Sequence, residues 1–381
     1  MLSAVNAVMD AHCLTPVGPE PRPANDPAPF KPARAEPVQR YLVAGKYRLY
    51  PFDKHARPYF DHAVARQGVA LSDYSFSNNV IWLAQASGFY QIVEGCFCLF
   101  VLTGNGLTML LPPIGDATRQ YRALKRCVNI MDLYNPSPAQ ARIDFVYKDF
   151  LHVFELAEDG ATPMLAGERW HAEVTNPDYI YRAQDLIELR GNAYKTKRNE
   201  INQFRRAHPN HRVLPFEPAH RDAARALVNT WMQNRLRTLP DGPVDEFLYN
   251  LEMERKAIHR TIAVYEELRL EGLSLFIDGK LEGFTFGERL SRDVANVLIE
   301  KTNFDIQGAA QYLFREFSKA FADCTYINVG DDLGFENLRR VKMSYRPAMF
   351  GEKIILRRPI LSENQPEKIF PSLLEAADYL I

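Results

Sequence analysis

The sequence predicts an α/β protein of the α+β type, in which mixed, mostly antiparallel sheets are flanked by helices. Two turn signals and one regular helix carry this prediction. Asn105-Gly106 and Asp278-Gly279 each join two apolar runs, and both dipeptides are typical of tight β-hairpin turns. Between Gly308 and Phe321, apolar residues recur with the period of an α-helix.

The remaining elements follow from alternating apolar residues for strands and from amphipathic spacing for helices. In the first half, the predicted strands are 46–52, 96–102, 107–111, 142–147 and 151–156, and the predicted helices cover 61–67 and 119–133. In the second half, helices are predicted from about 192 and at 221–236, 245–259 and 308–321. The strands predicted there are 261–265, 270–277, 281–288, 294–301, 325–329 and 353–357.

Composition divides the chain into four parts. Eight prolines lie between Pro16 and Pro37, so residues 1–40 are predicted to be a flexible leader. Residues 41–181 and 182–360 are predicted to form two domains, with the candidate site in the second. Residues 361–381 are predicted to form a tail with a short helix.

Charge and cysteine content argue against several classes of protein. Lysine and arginine number 46 against 47 acidic residues, so the net charge of -1 attracts neither nucleic acid nor an anionic membrane to the surface as a whole. Five cysteines are too few for a disulfide framework and favour a reducing compartment. The uncharged stretch 95–115 has the length of a membrane span, but its Asn-Gly turn favours two buried strands.

Residues 190–212 form a basic segment, with seven lysines or arginines against Glu200. One stripe of the predicted helix carries Lys195, Arg198, Asn202 and Arg205. Such a stripe suits the phosphates of a polyanion, for example tRNA or a phosphorylated head group. A solvated charged face is the alternative interpretation.

A second polar segment, 328–334, follows the predicted strand 325–329. Carboxylates at the C-terminal end of a strand commonly face a cleft, which makes Asp331 and Asp332 candidates for a site. The alternative is a polar turn in which Asp332 caps the following helix. The nine histidines show no paired metal-binding spacing, so the sequence predicts neither a metal nor a cofactor.

The order of elements in the second half is similar to the fold of the Gcn5-related N-acetyltransferases, and the first half has a compatible order. The similarity implies two such folds in tandem. In that fold, the pyrophosphate of coenzyme A binds at a helix N-terminus, and the corresponding loop here is 305–310. Asp305 stands where a cation or amide would face pyrophosphate, so this turn suits an ammonium group, unless Asp305 is only the N-cap of the helix.

Three motifs together resemble those of one family: 73–82, the basic helix 194–204, and 328–334 with 338–347. The family is the C-terminal catalytic domain of bacterial phosphatidylglycerol lysyltransferases, with its stand-alone relatives. The resemblance extends over about 41–357. It implies tandem acetyltransferase-like folds and transfer of an aminoacyl group from aminoacyl-tRNA, the co-substrate, to a lipid or small-molecule acceptor.

The resemblance also implies roles for individual residues. Contacts with tRNA phosphates are expected from Lys195, Lys197, Arg198, Asn202 and Arg205. Substrate binding is expected from Glu300, Asp305, Gln311, Asn328, Asp332 and Arg339. Catalytic roles are expected for Lys342, Tyr345 and Asp331.

Two alternative functions stay open on the sequence: an N-acyltransferase that uses acyl-coenzyme A, and a non-catalytic binding module on the same fold. The expected location is the cytoplasm, including the inner face of the membrane, without a transmembrane segment.

Overall fold

Two large mixed sheets, each covered by helices, make up the described part of the protein. The computed structural model describes residues 41–65, 67–83, 87–165, 167–237 and 244–359. The predicted leader (1–40) and tail (361–381) lie outside the described residues. The predicted fold class is confirmed, because both sheets are mostly antiparallel and helices flank them.

The elements are as follows in chain order. The helices are α1 Arg57–Val64, α2 Phe76–Trp82, α3 Ala117–Tyr134, α4 Ala183–Glu188, α5 Lys195–Ala207, α6 Arg221–Arg237, α7 Val244–Leu268, α8 Ala309–Lys319 and α9 Glu336–Met343. The strands of the first half are β1 Leu42–Ala44, β2 Tyr47–Pro51, β3 Gly88–Val93, β4 Cys96–Thr103, β5 Gly106–Met109, β6 Arg142–Tyr147, β7 Glu155–Leu156, β8 Pro163–Leu165, β9 Glu168–Arg169 and β10 His171–Val174. Those of the second half are β11 Asp178–Arg182, β12 Arg212–Pro215, β13 Glu271–Ile277, β14 Lys280–Arg289, β15 Val294–Thr302, β16 Tyr326–Asn328, β17 Met349–Gly351 and β18 Lys353–Arg357.

The first sheet has the strand order β1-β2-β3-β4-β5-β6-β18-β10. Helix α3 packs on it and buries Leu124 and Met131 in a core with Phe100 and Ile143. The hairpin predicted at Asn105-Gly106 is confirmed, since β4 and β5 pair there in antiparallel register. A separate small sheet contains β7, β8 and β9.

The second sheet has the order β12-β13-β14-β15-β16-β11-β17. Helix α8 covers one face and buries Leu313 and Phe317, while α6 and α7 cover the other face. Asp278 and Gly279 form the two-residue turn between β13 and β14, and both have positive φ, as a tight hairpin turn of this type requires. The predicted strand–helix–strand unit is present as β15–α8–β16, with parallel strands.

Two predicted strands are wrong. Residues 261–265 belong to α7, where Ile262 and Tyr265 are buried together and the hydroxyl of Thr261 donates to the carbonyl of Ala257 at 2.8 Å. Packing on the core therefore overrides the strand preference of these residues. Half of 151–156, residues 151–153, lies in a 3-10 helix, Lys148–Val153, that buries Phe150 and Val153 three residues apart, and only the last two residues are a strand, β7.

Sheet membership crosses the predicted domain boundary. Strand β11 belongs to the second sheet, although most of it lies inside the predicted first domain. Strand β18 belongs to the first sheet, between β6 and β10, although it comes from the C-terminal end of the described chain. The two sheets therefore exchange strands, and the division at 181/182 stays a prediction.

The close contact between α5 and the start of α8 can be tested at Gly308. This residue has a φ of 81°, and an added Cβ would lie 2.4 Å from the Glu200 carbonyl oxygen. Gly279 has nearly the same φ, 83°, with open space around it. Gly279→Ala should lower the free energy of unfolding by about 1–2 kcal/mol through backbone strain. Gly308→Ala should cost a further ~1–3 kcal/mol through steric overlap. Urea unfolding of both variants checks this, and equal losses would contradict the packing.

Candidate functional site

The second sheet splits where the pairing of β15 and β16 ends, and we call the gap between them the cleft. The two parallel strands pair only along residues 294–296 and 326–328. Beyond that point β15 continues to Thr302, whereas the chain after Asn328 turns into a loop, 329–335, and then α9. The second half of β15 flanks one side of the gap, and this loop and α9 flank the other.

A β-bulge decides which side chain of β15 faces this cleft. The pairing of β14 with β15 shifts between Phe286 and Gly287, and such a shift reverses the alternation of side chains beyond it. Lys301 points towards α6 and α7, with its Nζ 2.7 Å from Glu254 and 3.8 Å from the centre of the Trp231 ring. Glu300, the preceding residue, consequently faces the opposite side of the sheet.

Glu300 carries a buried, unsatisfied group beside the cleft. Its Oε2 atom is excluded from solvent and has no hydrogen-bond partner among the described residues. Burial raises the pKa of Glu300 to about 8, and the neighbouring Lys301 ammonium opposes only part of this shift. A buried polar oxygen without a partner is costly, so the position favours a ligand that donates a hydrogen bond, above all an ammonium group.

Tyr345 lies beside Glu300. Its ring is buried, with its centre 5.1 Å from that of Phe314, and the Lys197 ammonium lies over it at 4.6 Å. Burial raises the pKa of Tyr345, and the carboxylates of Glu300 and Glu200 raise it further. The phenol therefore stays protonated and can donate a hydrogen bond, but it cannot serve as a base near neutral pH.

Lys342 lies on α9, and the 329–335 loop holds its ammonium. Its Nζ donates to the carbonyl oxygens of Val329 at 2.7 Å and Gly330 at 3.0 Å, and also to that of Asp331. Burial lowers the pKa of Lys342 to about 8, although nearby carboxylates, Asp331 first, oppose the shift. A lysine with a pKa this close to neutrality is suited to accepting and returning a proton.

Asp332 and Asn328 fix the shape of that loop. Asp332 accepts from the hydroxyl of Tyr179 at 2.6 Å and from the N–H of Gly334 at 3.0 Å. Asn328 Oδ1 accepts from the N–H of Gly330 at 2.7 Å. The alternative that Asp332 caps α9 is wrong, because the N-cap residue is Phe335 and no side chain caps that helix. Both polar side chains are buried and bonded within the protein.

A buried ion-pair cluster ties the loop to both sheets. Lys353 of β18 is 1% exposed, and its Nζ lies 2.6 Å from Asp73, 2.9 Å from Asp178 and 3.4 Å from Asp331. Asp178 belongs to β11 in the second sheet, Asp73 lies just before α2, and Asp331 belongs to the loop. One ammonium therefore joins three distant parts of the chain.

The pKa values of Asp178 and Asp73 shift in opposite directions, although both carboxylates contact Lys353. Burial tends to raise the pKa of Asp178, but the Lys353 ammonium, the N–H of Ser72 and the amide of Asn328 outweigh burial and lower it. At Asp73 burial is the larger effect and raises the pKa to about 7, despite the 2.6 Å contact with Lys353. Burial alone would lower the pKa of Lys353, but the carboxylates raise it, so the lysine stays charged.

Helix α5 presents only part of its basic stripe to solvent. Ile201 and Phe204 are buried and fix the helix on the protein. Three of the predicted phosphate-binding residues are exposed: Lys195, Asn202 and Arg205. The other two are directed inwards, because Arg198 Nη1 donates to the carbonyls of Leu189 and Gly191 and Lys197 lies over the Tyr345 ring. Helical spacing placed Arg198 on the stripe but could not show that it caps the end of α4.

The turn before α8 corrects one interpretation. The N-cap of α8 is Gly308, and no side chain caps the helix, so the N-cap interpretation of Asp305 is wrong. Asp305 is exposed, and its N–H donates to Asn303 Oδ1 at 3.0 Å. Helix α5 covers this end of α8, because Gly308 lies directly against the carbonyl of Glu200.

The two remaining predicted residues lie on helices next to the cleft. Gln311 is half-buried in the first turn of α8. Arg339 is exposed on α9, where its charge opposes the rise in the pKa of Tyr179 that burial and Asp332 cause. The structure thus gathers Asn328, Asp331, Asp332 and Lys342 on one side of the gap, with Glu300 and Tyr345 close together.

Three residues of the site had no predicted role: Asp73, Asp178 and Lys353. Asp178 and Lys353 are buried charged residues at the start of strands β11 and β18, whose middle three residues are apolar or aromatic. That contrast was the available signal, because a charge in a buried strand persists only with a partner. Asp73 begins the 73–82 motif but had no role there.

The described ranges contain no group of three His, Cys, Asp or Glu side chains that could hold a metal ion. The four cysteines in those ranges are buried and free. None of the helices described is both long and apolar enough to cross a bilayer.

The described residues define an α+β protein with two mixed, mostly antiparallel sheets that exchange strands. The chain belongs to the family described as phosphatidylglycerol lysyltransferase, C-terminal, whose model matches residues 66–357. The predicted family is thereby confirmed. No match was found among curated proteins.

Three solved structures are similar in fold. A conserved protein of unknown function from Bacteroides thetaiotaomicron VPI-5482 is 24% identical, with a TM-score of 0.70, over 82% of this chain and 99% of that one. The C-terminal domain of a putative lysylphosphatidylglycerol synthetase from Agrobacterium fabrum is 14% identical, with a TM-score of 0.56, over 80% and 92%. L-PGS from Bacillus licheniformis is 13% identical, with a TM-score of 0.56, over 82% and 94%.

Lys353→Met tests the buried cluster. Removing the ammonium leaves two buried carboxylates, Asp73 and Asp178, without their charge partner. The free energy of unfolding at pH 8 should therefore fall by about 3–5 kcal/mol. The loss should shrink at pH 5, because a carboxyl whose native pKa is raised binds a proton more tightly folded than unfolded, and its cost therefore grows as pH rises.

Urea unfolding of wild type and variant at both pH values measures these differences. Lys148→Met is the matched control, since its ion pair with Glu352 is exposed and its loss should cost within about 0.5 kcal/mol. If Lys353→Met lowers the free energy of unfolding by the same amount at pH 5 and at pH 8, the electrostatic account is contradicted.

Proposed function

We propose that the protein is an aminoacyltransferase that moves an aminoacyl group from aminoacyl-tRNA to a lipid or small-molecule acceptor. The observation that carries the proposal is the unpartnered, solvent-excluded carboxyl oxygen of Glu300 beside the cleft. An aminoacyl ester brings the group that this oxygen lacks, an ammonium next to the reacting carbonyl. Family membership supports the same class of reaction.

The reaction requires the protein to position the two substrates and to transfer a proton. The ester of aminoacyl-tRNA is already activated, so neither a covalent nucleophile nor a cofactor is required. The acceptor oxygen or nitrogen attacks the ester carbonyl, a new acyl bond forms, and the bond to the ribose oxygen breaks. In this scheme the neutral amine form of Lys342, which a pKa of about 8 makes accessible near neutral pH, takes the proton of the acceptor. The resulting ammonium then returns the proton to the ribose oxygen.

Tyr345 has the protonation state of a hydrogen-bond donor. Because its pKa is raised, its phenol keeps its proton and can donate to the oxygen that becomes negative during attack. Asp331 acts on Lys342 through the loop, since its backbone carbonyl accepts from Nζ while its carboxylate faces Lys353. It is a positioning residue in this scheme.

The exposed part of α5 supports tRNA as the donor. Lys195 and Arg205 are exposed on a helix whose buried face lies against α8, beside the cleft. Cations on such a stripe can follow a phosphate backbone. If the stripe is only a solvated charged face, its neutralisation leaves tRNA binding unchanged. The stripe variant described below tests this alternative.

Coenzyme A fits the turn before α8 less well. Helix α5 packs on Gly308 at the end of α8 where pyrophosphate would bind, and Asp305 adds a negative charge to the turn. A carboxylate repels pyrophosphate, so both features favour a donor without one.

The direct experiment supplies both donors to the full chain. Purified protein is incubated with a lipid extract and either tRNA charged with a mixture of radiolabelled amino acids or radiolabelled acetyl-coenzyme A. The proposal expects label from tRNA in the lipid or small-molecule fraction. Label transferred only from acetyl-coenzyme A would establish the alternative, and tight acceptor binding without transfer from either donor would favour a binding module.

Neutralising the exposed stripe should separate tRNA binding from folding. Lys195→Gln with Arg205→Gln should weaken tRNA binding and reduce the slope of log affinity against log salt by about one unit per lost contact. The free energy of unfolding should change by less than about 0.5 kcal/mol per site. Arg122→Gln with Lys125→Gln, two exposed cations on α3 of the other sheet, is the control. An unchanged salt slope would refute the assignment.

Glu300→Gln tests the ammonium site. The change keeps the shape but removes a charge-assisted hydrogen bond worth about 1.5–3 kcal/mol, so transfer at low substrate should fall about tenfold or more. Stability at pH 8 should rise, because a buried carboxyl that ionises with a raised pKa is lost. Asp305→Asn, at an exposed carboxylate, is the matched comparison. A large loss in Asp305→Asn with full activity in Glu300→Gln would move the ammonium site to the turn.

A further inference from the structure

Exposed apolar side chains concentrate in one short stretch of the chain. Of the sixteen large hydrophobic residues that are exposed in the described ranges, six lie between 333 and 350, and they are 37% to 52% exposed. They are Leu333, Phe335, Val341, Met343, Met349 and Phe350. Exposed apolar residues scattered singly are ordinary, but a concentration of this kind marks an interaction surface.

Tyr179 links two parts of this stretch, the loop before α9 and strand β17. The Tyr179 ring packs edge-on against the ring of Phe350, with 5.5 Å between centroids. Its hydroxyl donates to Asp332, the residue before Leu333. The loop and β17 therefore meet around a single buried side chain, and we call the outer side of the loop, α9 and β17 the α9 face. It comprises Leu333, Phe335, the exposed side chains of α9, Arg346 and strand β17.

The elements of the α9 face have unpartnered sides. Helix α9 buries none of its own residues, although its sequence is amphipathic. Strand β17 is the outermost strand of the second sheet and exposes both Met349 and Phe350. An amphipathic helix gains stability from covering its apolar side chains, and within the described ranges no element covers Val341 or Met343.

The charge around these apolar residues is positive. Arg339, Arg340 and Arg346 are exposed on this face, against one exposed acidic residue, Glu336. The whole chain has a net charge of -1, so the excess is local. Arginines that surround apolar side chains are typical of helices that lie in the interface of an anionic bilayer. A symmetric contact with a second copy would bring the same arginines together, which disfavours that occupant.

We propose that the α9 face docks on the surface of an anionic lipid bilayer. Leu333, Phe335 and Met343 enter the interface, and the arginines pair with lipid phosphates. Helix α9 also carries Lys342, whose ammonium reaches the loop at the cleft, so docking places the cleft next to the membrane surface. That link to catalysis rests on the proposed function, but the docking itself does not.

Vesicle binding tests the proposal without tRNA or any donor. The full chain is sedimented with vesicles of phosphatidylcholine and with vesicles of equal parts phosphatidylcholine and phosphatidylglycerol. Wild type should bind the anionic vesicles and lose binding as salt rises. Arg340→Gln with Arg346→Gln should weaken binding about 25-fold, from about fivefold for each arginine near the surface. Leu333→Glu with Met343→Glu should abolish measurable binding.

Matched controls keep the result interpretable. Val43→Glu with Ile92→Glu introduces the same charges at equally exposed apolar positions on the first sheet, and Arg122→Gln with Lys125→Gln removes two cations there. Both should bind like wild type, and melting temperatures confirm folding. If Leu333→Glu with Met343→Glu does not fold, the arginine variant decides.

Three outcomes would overturn the inference: no binding to anionic vesicles, equal binding to neutral vesicles, or α9-face variants that bind like wild type. Concentration-dependent self-association in analytical ultracentrifugation that the α9-face variants abolish, without vesicle binding, would identify a second copy as the occupant. Vesicle binding without aminoacyl transfer would count against the proposed function alone, and transfer to a dissolved acceptor without vesicle binding would count against docking alone.

Discussion

The arrangement of the site depends on one buried ammonium, that of Lys353. It lies in a strand of the first sheet, yet its Nζ is shared by Asp178 of the second sheet, by Asp73 and by Asp331. Burying such a charge is costly unless its partners are fixed in place, so the cluster holds only while both sheets keep their relative positions. The exchange of β11 and β18 between the two halves provides that constraint, because Asp178 and Lys353 lie on strands of different sheets and form an ion pair with each other.

The 329–335 loop contacts both the buried cluster, through Asp331, and the proposed base, Lys342. Its carbonyls bind the Lys342 ammonium, and burial lowers the pKa of that lysine to about 8. On β15, burial raises the pKa of Glu300 to about 8. A base and an acid shifted in opposite directions to the same range are typical of functional sites, since each can change its charge near neutral pH. The bulge in β15 is what directs Glu300, rather than Lys301, towards this side.

Local sequence patterns predicted the elements whose stability is local. The β6 and β18 bounds, both hairpins and α8 follow from alternation, helical spacing and turn chemistry. The candidate residues Lys342, Tyr345 and Glu300 come from the resemblance to the family and stay a prediction. Properties that depend on distant neighbours could not be predicted this way. The inward turn of Arg198 depends on where α4 ends, the helical state of 261–265 depends on the core under α7, and the role of Lys353 depends on carboxylates far away in sequence.

The most direct test of this account is the titration of the lysine ammonium groups by nitrogen-15 NMR, in wild type and in Lys353→Met. Lys342→Arg assigns the resonance of interest. The account predicts one lysine in the wild type with a pKa of about 8, absent in Lys342→Arg. In Lys353→Met that pKa should rise towards the ordinary 10.5, because the repulsion by the Lys353 charge is lost, the loop loosens and water reaches the Lys342 ammonium. A wild-type Lys342 that titrates near 10.5, or a pKa of about 8 that survives in Lys353→Met, would contradict the claim that the buried cluster sets the chemistry of the cleft.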